Sequence, residues 1–411
     1  MLSIGRPKTP HSAQEYLLQD DPYFRDRSAS WFGKAAEALG LAGKVNDEAF
    51  ASLLAGSDPE GKRLVRAGGP SHTRIAGFDL TFSAPKSCSL VSLTDGRVVN
   101  AHSGAVETAL AFAEDRYAQA RAMSGGKQVE LSTGNIATAL FVHMTSRALD
   151  PQLHTHAFVL NITRRPEDGQ WRALHRGKQI TTGKGATAVV SNPFYAHHLL
   201  LGQVYRNELA KDLAVSGYGI RVTDPGNGFW ELGGIPDPLI EGFSKRRTEI
   251  EQQAQDYQRT HPNTLSQKLY DRATVHTRLW KVHTVTREAL LDMWTATAEH
   301  LGTPLDTLPR LALSPEKAAG EQAIRGDGVD SAEQLLAKAV SIFAAAGQKP
   351  SREQVLLAAL KLGIGFYGID SFRASAEKLP FSWELDRAAR DAQDRPHPHG
   401  AKNGRQLQLE I

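Results

Sequence analysis

The chain has 411 residues, 41% of them hydrophobic and 23% charged, with a net charge of +3. This is a globular composition with room for a large core and two domains, and its net charge alone does not argue for nucleic acid. No apolar run reaches the ~18 residues of a spanning helix, the N-terminus lacks a signal-peptide core, and the single Cys88 excludes a disulfide framework, so a cytoplasmic protein without membrane insertion is expected.

Residues 2–6 read as a short strand. Ser12, with Glu15 at the capping-box offset, starts a helix that carries Tyr16. Tyr23 follows seven residues later, beyond the helix-breaking Asp20-Asp21-Pro22. Residues 30–42 read as a helix ending at a glycine, and 46–55 as another. Gly56, Gly61 and Lys62 then have the spacing of a phosphate-binding loop, but Arg63 stands where its Ser or Thr must be, and a helix rather than a strand precedes it. An ATP site is therefore not expected.

GFDLTFSAPKSCSLVSL, residues 77–93, reads as a strand, an irregular joint at 83–86, and then further strand or helix. Asp79 alternates with Leu80 and Phe82 and can project from a sheet, with Arg74 and Lys86 supplying positive charge on either side. Residues 101–122 carry the apolar stripe of a helix, through Ala105, Ala109, Phe112, Ala113 and Tyr117.

Residues 136–145 and the run HTHAFVLNIT from His154 read as strands joined by SRALDPQ. At a period of two, His154 and His156 leave one face, and His143 faces them if the strands pair antiparallel. An isolated His-x-His is often incidental. A third histidine at hairpin distance makes an open, catalytic type of metal site the competing reading.

Further on, a long helix should begin near Asn192-Pro193 and end at Gly217, followed by a hairpin turning at Asn227-Gly228. Arg246, Arg247, Arg278, Lys281 and Arg287 fall in helical stretches and could lie along phosphates, and charge alone makes Arg74 and Lys86 nucleic-acid contact candidates too, although a solvated face is the commoner explanation for such runs. Falling propensity places a linker at 301–328, between a domain of residues 1–300 and a small helical unit at 329–382. Residues 383–411 read as a disordered tail.

Taken in order, MLSI with Tyr16 and Tyr23, W-x-G-x-x-A-x-x-L-G-L from Trp31, GFDLTFSAPKS, and TSR-x-x-D-P-Q-L-H-T-H resemble the MobF class of conjugative relaxases, the TrwC- and TraI-like DNA-nicking enzymes, from residue 1 to about 300. The resemblance implies an α+β HUH endonuclease fold, with a palm-like antiparallel sheet flanked by helices. It also implies His143, His154 and His156 as the metal triad, Asp79 as the acidic residue beside it, Tyr16 as nucleophile and Tyr23 as a second tyrosine. Family members with tyrosine doublets differ here, because the neighbours are Leu17 and Phe24.

The activity implied is metal-dependent nicking and religation of single-stranded DNA at a plasmid origin of transfer, through a 5′-phosphotyrosine. A water-using nuclease and a non-catalytic origin-binding protein are the alternatives. All-imidazole ligation by itself favours zinc, copper or nickel, whereas the resemblance suggests magnesium or manganese, with cobalt among the ions a crystal would accept. The implied partners are single-stranded origin DNA and relaxosome accessory and coupling proteins. The implied state is a monomer in the bacterial cytoplasm that can enter the recipient cell bound to DNA.

Overall fold

A computed structural model describes residues 1–5, 7–18, 29–65, 74–124, 127–175, 177–181, 187–260, 286–313 and 330–378. Tyr23, Arg278, Lys281 and the 383–411 tail lie outside the described residues.

The elements run, in chain order, β1 (Leu2–Ile4), α1 (Pro10–Leu18), β2 (Ser30–Phe32), α2 (Lys34–Glu37), α3 (Asp47–Ala55), β3 (Gly77–Ser83), α4 (Lys86–Val91) and α5 (Gly96–Tyr117). Next come β4 (Gln119–Ser124), β5 (Lys127–Ser132), β6 (Thr138–Thr145), β7 (Pro151–Leu160), β8 (Thr163–Arg164), β9 (Trp171–Arg172), β10 (Gly177–Thr181) and β11 (Thr187–Ser191). After them are α6 (Pro193–Ala196), α7 (His198–Val215), β12 (Ile220–Asp224), β13 (Phe229–Leu232), α8 (Asp237–Gly242), α9 (Lys245–Thr260), α10 (Arg287–His300), α11 (Leu308–Ala312), α12 (Ala332–Ala345), α13 (Arg352–Leu362) and α14 (Ile369–Lys378).

Five strands form one antiparallel sheet in the order β1-β3-β7-β6-β2. Strict alternation divides its side chains between two cores. Phe78, Leu80, Phe82, Leu153, Ala157 and Val159 pack with α5 and α7 in the larger one. Ala139, Phe141, Phe158 and Leu160 face the other way, where Ala13 and Leu17 of α1 and Phe50, Leu53 and Leu54 of α3 cover them. The sheet is thus an α+β layer with helices on both faces, as expected.

The long helix divides at His197 into α6 and α7, with Asn192 accepting from Phe194 N as its cap and Gly217 at φ 88° after its end. The expected hairpin forms as β12 and β13, with Gly228 at φ 67°.

Four local expectations need correction. The helix read at 101–122 runs from Gly96 to Tyr117, and Gln119–Ser124 are strand β4 instead. Residues 30–42 are not one helix: Ser30–Phe32 pair with β6, Gly33 turns the chain at φ 104°, and only Lys34–Glu37 are helical. Helix α1 starts before Ser12, whose hydroxyl accepts from Thr9 N across the first turn. The described part of the expected linker, 301–313, is packed structure, because Leu305, Leu308 and Ala312 are buried in the larger core. The stretch left open after Lys86 is helix α4. No helix among the described residues is long and apolar enough to cross a membrane.

Candidate metal centre

The β3-β7-β6 register builds the site. His154 stands between Ser83 and His143, and His156 stands between Thr81 and Phe141. Partners across an antiparallel pair share a face, so the three imidazoles meet at the open end of the face whose other end is floored by Phe141 and Phe158. Phe50 of α3 packs edge-on against both phenyl rings, with centroids at 5.6 and 5.9 Å. That contact holds the floor under the histidines.

The three ring centroids are each 5.2 Å apart, and one nitrogen from each ring lies within 4.8 Å of the others. Burial, reinforced by the neighbouring imidazoles His154 and His156, pulls His143 down to about 2. Burial also pulls His154 down to about 3, with His156 adding to it. Both rings are therefore neutral near pH 7, the form in which imidazole donates a lone pair to a cation.

Second partners orient two of the rings. His156 Nδ1 sits 2.9 and 3.1 Å from the two Asp79 oxygens and 3.0 Å from Thr81 Oγ1. His154 Nδ1 lies 2.9 Å from the Gln152 carbonyl oxygen. A proton on each Nδ1 leaves Nε2 as the ligand atom, the arrangement by which a carboxylate or carbonyl fixes a metal-binding histidine. A converging set of three imidazole donors, with His143 and His154 held neutral, fits a divalent metal cofactor.

Asp79 is thus brought to the triad, while its neighbour Thr81 was not anticipated. Tyr16 lies on α1, the helix that covers this same face through Ala13 and Leu17. Arg246 and Arg247 fall in the first turn of α9. Arg74 is turned inward, donating to the carbonyls of Leu54 and Asn161 at 3.2 and 3.4 Å. Lys86 donates to the Pro151 carbonyl at 2.8 Å and Gln152 Oε1 at 3.3 Å, and its burial pulls it down to about 8 despite Asp150 and Glu231 nearby.

Two further groups around the site escaped sequence reading. Behind β7, His102 joins Tyr205 Oη and Thr155 Oγ1, each at 2.7 Å. The signal was present: Thr155 lies between the two ligand histidines, so it must face the opposite core, where a lone hydroxyl needs a partner. The turn between the ligand strands is also anchored. Asp150 accepts from Lys245 N at the start of α9 at 2.9 Å, and Trp294 of α10 donates its indole N–H to the Leu149 carbonyl at 2.7 Å. Nothing in the local sequence pairs residues so far apart.

The family description "TrwC relaxase" matches residues 10–301. The multifunctional conjugation protein TraI of Escherichia coli K12 is 35% identical over 306 residues, which are 74% of this chain and 16% of that relative. A solved structure of the conjugative relaxase TrwC in complex with oriT DNA, metal-bound, matches at 38% identity and TM-score 0.62, covering 74% of this chain and all of the other. A copper-bound form of the same complex is similar at 39% identity and TM-score 0.62. The chain therefore belongs to the TrwC family of conjugative relaxases.

Proposed function

We propose that this chain nicks one strand of DNA at a plasmid origin of transfer, holds the 5′ end as a phosphotyrosine on Tyr16, and can religate it. The observation that carries this reading is the converging histidine triad, with Asp79 fixing one ligand, on the sheet face that α1 covers. His143, His154 and His156 would hold the cation, which when bound supplies positive charge to the non-bridging oxygens of the scissile phosphate.

The residues of the chain do the rest. Tyr16 offers an oxygen whose ordinary pKa is about 10, so it must lose its proton on attack. Its oxygen forms a bond to phosphorus as the bond to the 3′ oxygen breaks, and the departing oxygen takes up a proton. One phosphodiester replaces another, so the bond energy is retained for rejoining. Asp79 holds His156 rather than attacking, which matches a positioning role. Tyr23 serves a second transfer step. Arg246, Arg247, Arg278 and Lys281 are the DNA contacts that their charge suggests.

The chain works as a monomer in the cytoplasm, meets accessory and coupling proteins at the origin, and can travel into a recipient cell on the strand it holds. The helices of residues 330–378 pack on α7 and extend the larger core of the nicking domain.

The test is a denaturing gel of the protein incubated with single-stranded origin oligonucleotides and Mg²⁺ or Mn²⁺. A slow-migrating adduct should form, map to the Tyr16 peptide and disappear with chelator and in Tyr16→Phe. A free 5′-phosphate without adduct would indicate a water-using nuclease. Chelator-insensitive binding without cleavage would indicate a non-catalytic origin-binding protein.

A further inference from the structure

The two ligand strands are not in simple register. His143 pairs with His154 and Thr145 with Pro151, so β6 has one residue between the pairs where β7 has two, Gln152 and Leu153. An extra residue in one strand disrupts the ladder there and re-aims the side chain beside it. Here that side chain is His154.

The polar groups of the bulge find partners outside the β6 ladder. Ser89 Oγ of α4 accepts from Leu153 N at 3.0 Å, and Ala84 N donates to the Leu153 carbonyl at 3.0 Å. Lys86 Nζ donates to the Pro151 carbonyl at 2.8 Å and Gln152 Oε1 at 3.3 Å. The Gln152 carbonyl is then the acceptor that orients His154 Nδ1 at 2.9 Å. Helix α4 and the joint before it therefore form a template for the irregular backbone that carries one ligand.

We propose that Lys86, with Ser89 beside it, is a positioning residue that fixes the bulge and so aims His154 at the cation, rather than a contact to DNA phosphate. Charge alone made Lys86 a DNA candidate. Its ammonium is instead largely buried on two backbone-proximal acceptors, with Asp150 and Glu231 nearby to balance it. An ammonium so placed offers little to a strand in solvent. This inference rests on the metal reading of the triad but not on cleavage.

The experiment uses the full chain, stripped with chelator and titrated with Mn²⁺ by calorimetry, as wild type, Lys86→Met and Ser89→Ala. Lys86→Met should weaken Mn²⁺ binding by about 10–100-fold, the range typical of groups that orient a ligand. Ser89→Ala should weaken it less, in the same direction. Affinity for an unstructured single-stranded oligonucleotide, and its dependence on salt, should be unchanged in both.

A merely structural role would lower the melting temperature of the metal-free protein and leave the Mn²⁺ affinity of the folded variants alone, which would overturn the proposal. So would weakened oligonucleotide binding with a shallower salt slope in Lys86→Met, the mark of a lost phosphate contact. If Lys86→Met does not fold, Ser89→Ala decides by the same criterion. A wild type that takes up no Mn²⁺ refutes the metal reading itself, whereas equal uptake by wild type and variants refutes only the positioning role.

Discussion

Adjacent residues of β7 do opposite work: His154 and His156 face the cation site, while Thr155 between them faces the core and holds His102. His102 is buried without charge, pulled down to about 3 by burial, with His154 and the chain's N-terminus as lesser causes. Its folded pKa lies below the unfolded value of about 6.5, so the unfolded chain binds a proton first as pH falls. The stability it supports is complete above that unfolded value and is lost as pH drops towards about 3. Urea unfolding midpoints should therefore fall less steeply on acidification in His102→Gln than in wild type, since an amide does not titrate; parallel slopes would contradict this. At this scale the three histidines were legible, because strand alternation and a hairpin turn dictate where they point, whereas Asp79 was set beside them by the family resemblance and not by its spacing. Thr81 and His102 were less legible. Their roles depend on which strands and helices are neighbours, and residue spacing carries no such information.

At the scale of elements, the sequence misled where local preference and tertiary pairing disagree. WFGKAAEALGLA is rich in helix formers, yet Ser30–Phe32 gain strand partners on β6 and the helix is confined to a single turn. Gly33 makes the switch. It sits at φ 104°, and a Cβ there would come within 2.2 Å of the Ile136 carbonyl oxygen. Gly33→Ala combines a disfavoured backbone with a clash and should cost at least the ~1–3 kcal/mol typical of such strain. A clearly lowered melting temperature is the expected outcome, and an unchanged one would show that the β2–α2 joint can relax. The hairpin β6–β7 was read correctly because its pattern and its pairing agree. Its bulge was not, since one extra residue leaves no mark on composition.

Across the whole molecule, the C-terminal helices share the larger core. Val355, Leu356 and Leu360 of α13 are buried in it, and the Asn207 side chain of α7 donates to the carbonyls of Leu360 and Tyr367 at 2.8 and 3.0 Å. Glu208 accepts from Ile369 N at 2.6 Å. Leu360→Ala should cost about 2–5 kcal/mol, as for other buried leucines, and should lower the single unfolding transition of the whole chain. A separate early transition for residues 330–378, with the rest unaffected, would contradict a shared core. The amphipathic stripes of these helices were legible. Their docking on α7 was not, because a stripe shows that a face is covered without naming what covers it.

The central claim is that His143, His154 and His156 bind one divalent cation at the end of this sheet. Titrating Mn²⁺ into the chelator-stripped chain, followed by electron paramagnetic resonance, tests it most directly. The account predicts one equivalent bound with nitrogen couplings from histidine, and loss of that signal in His154→Ala with single-stranded DNA binding largely retained. Uptake that persists undiminished in His154→Ala, or no uptake by the wild type, would contradict it.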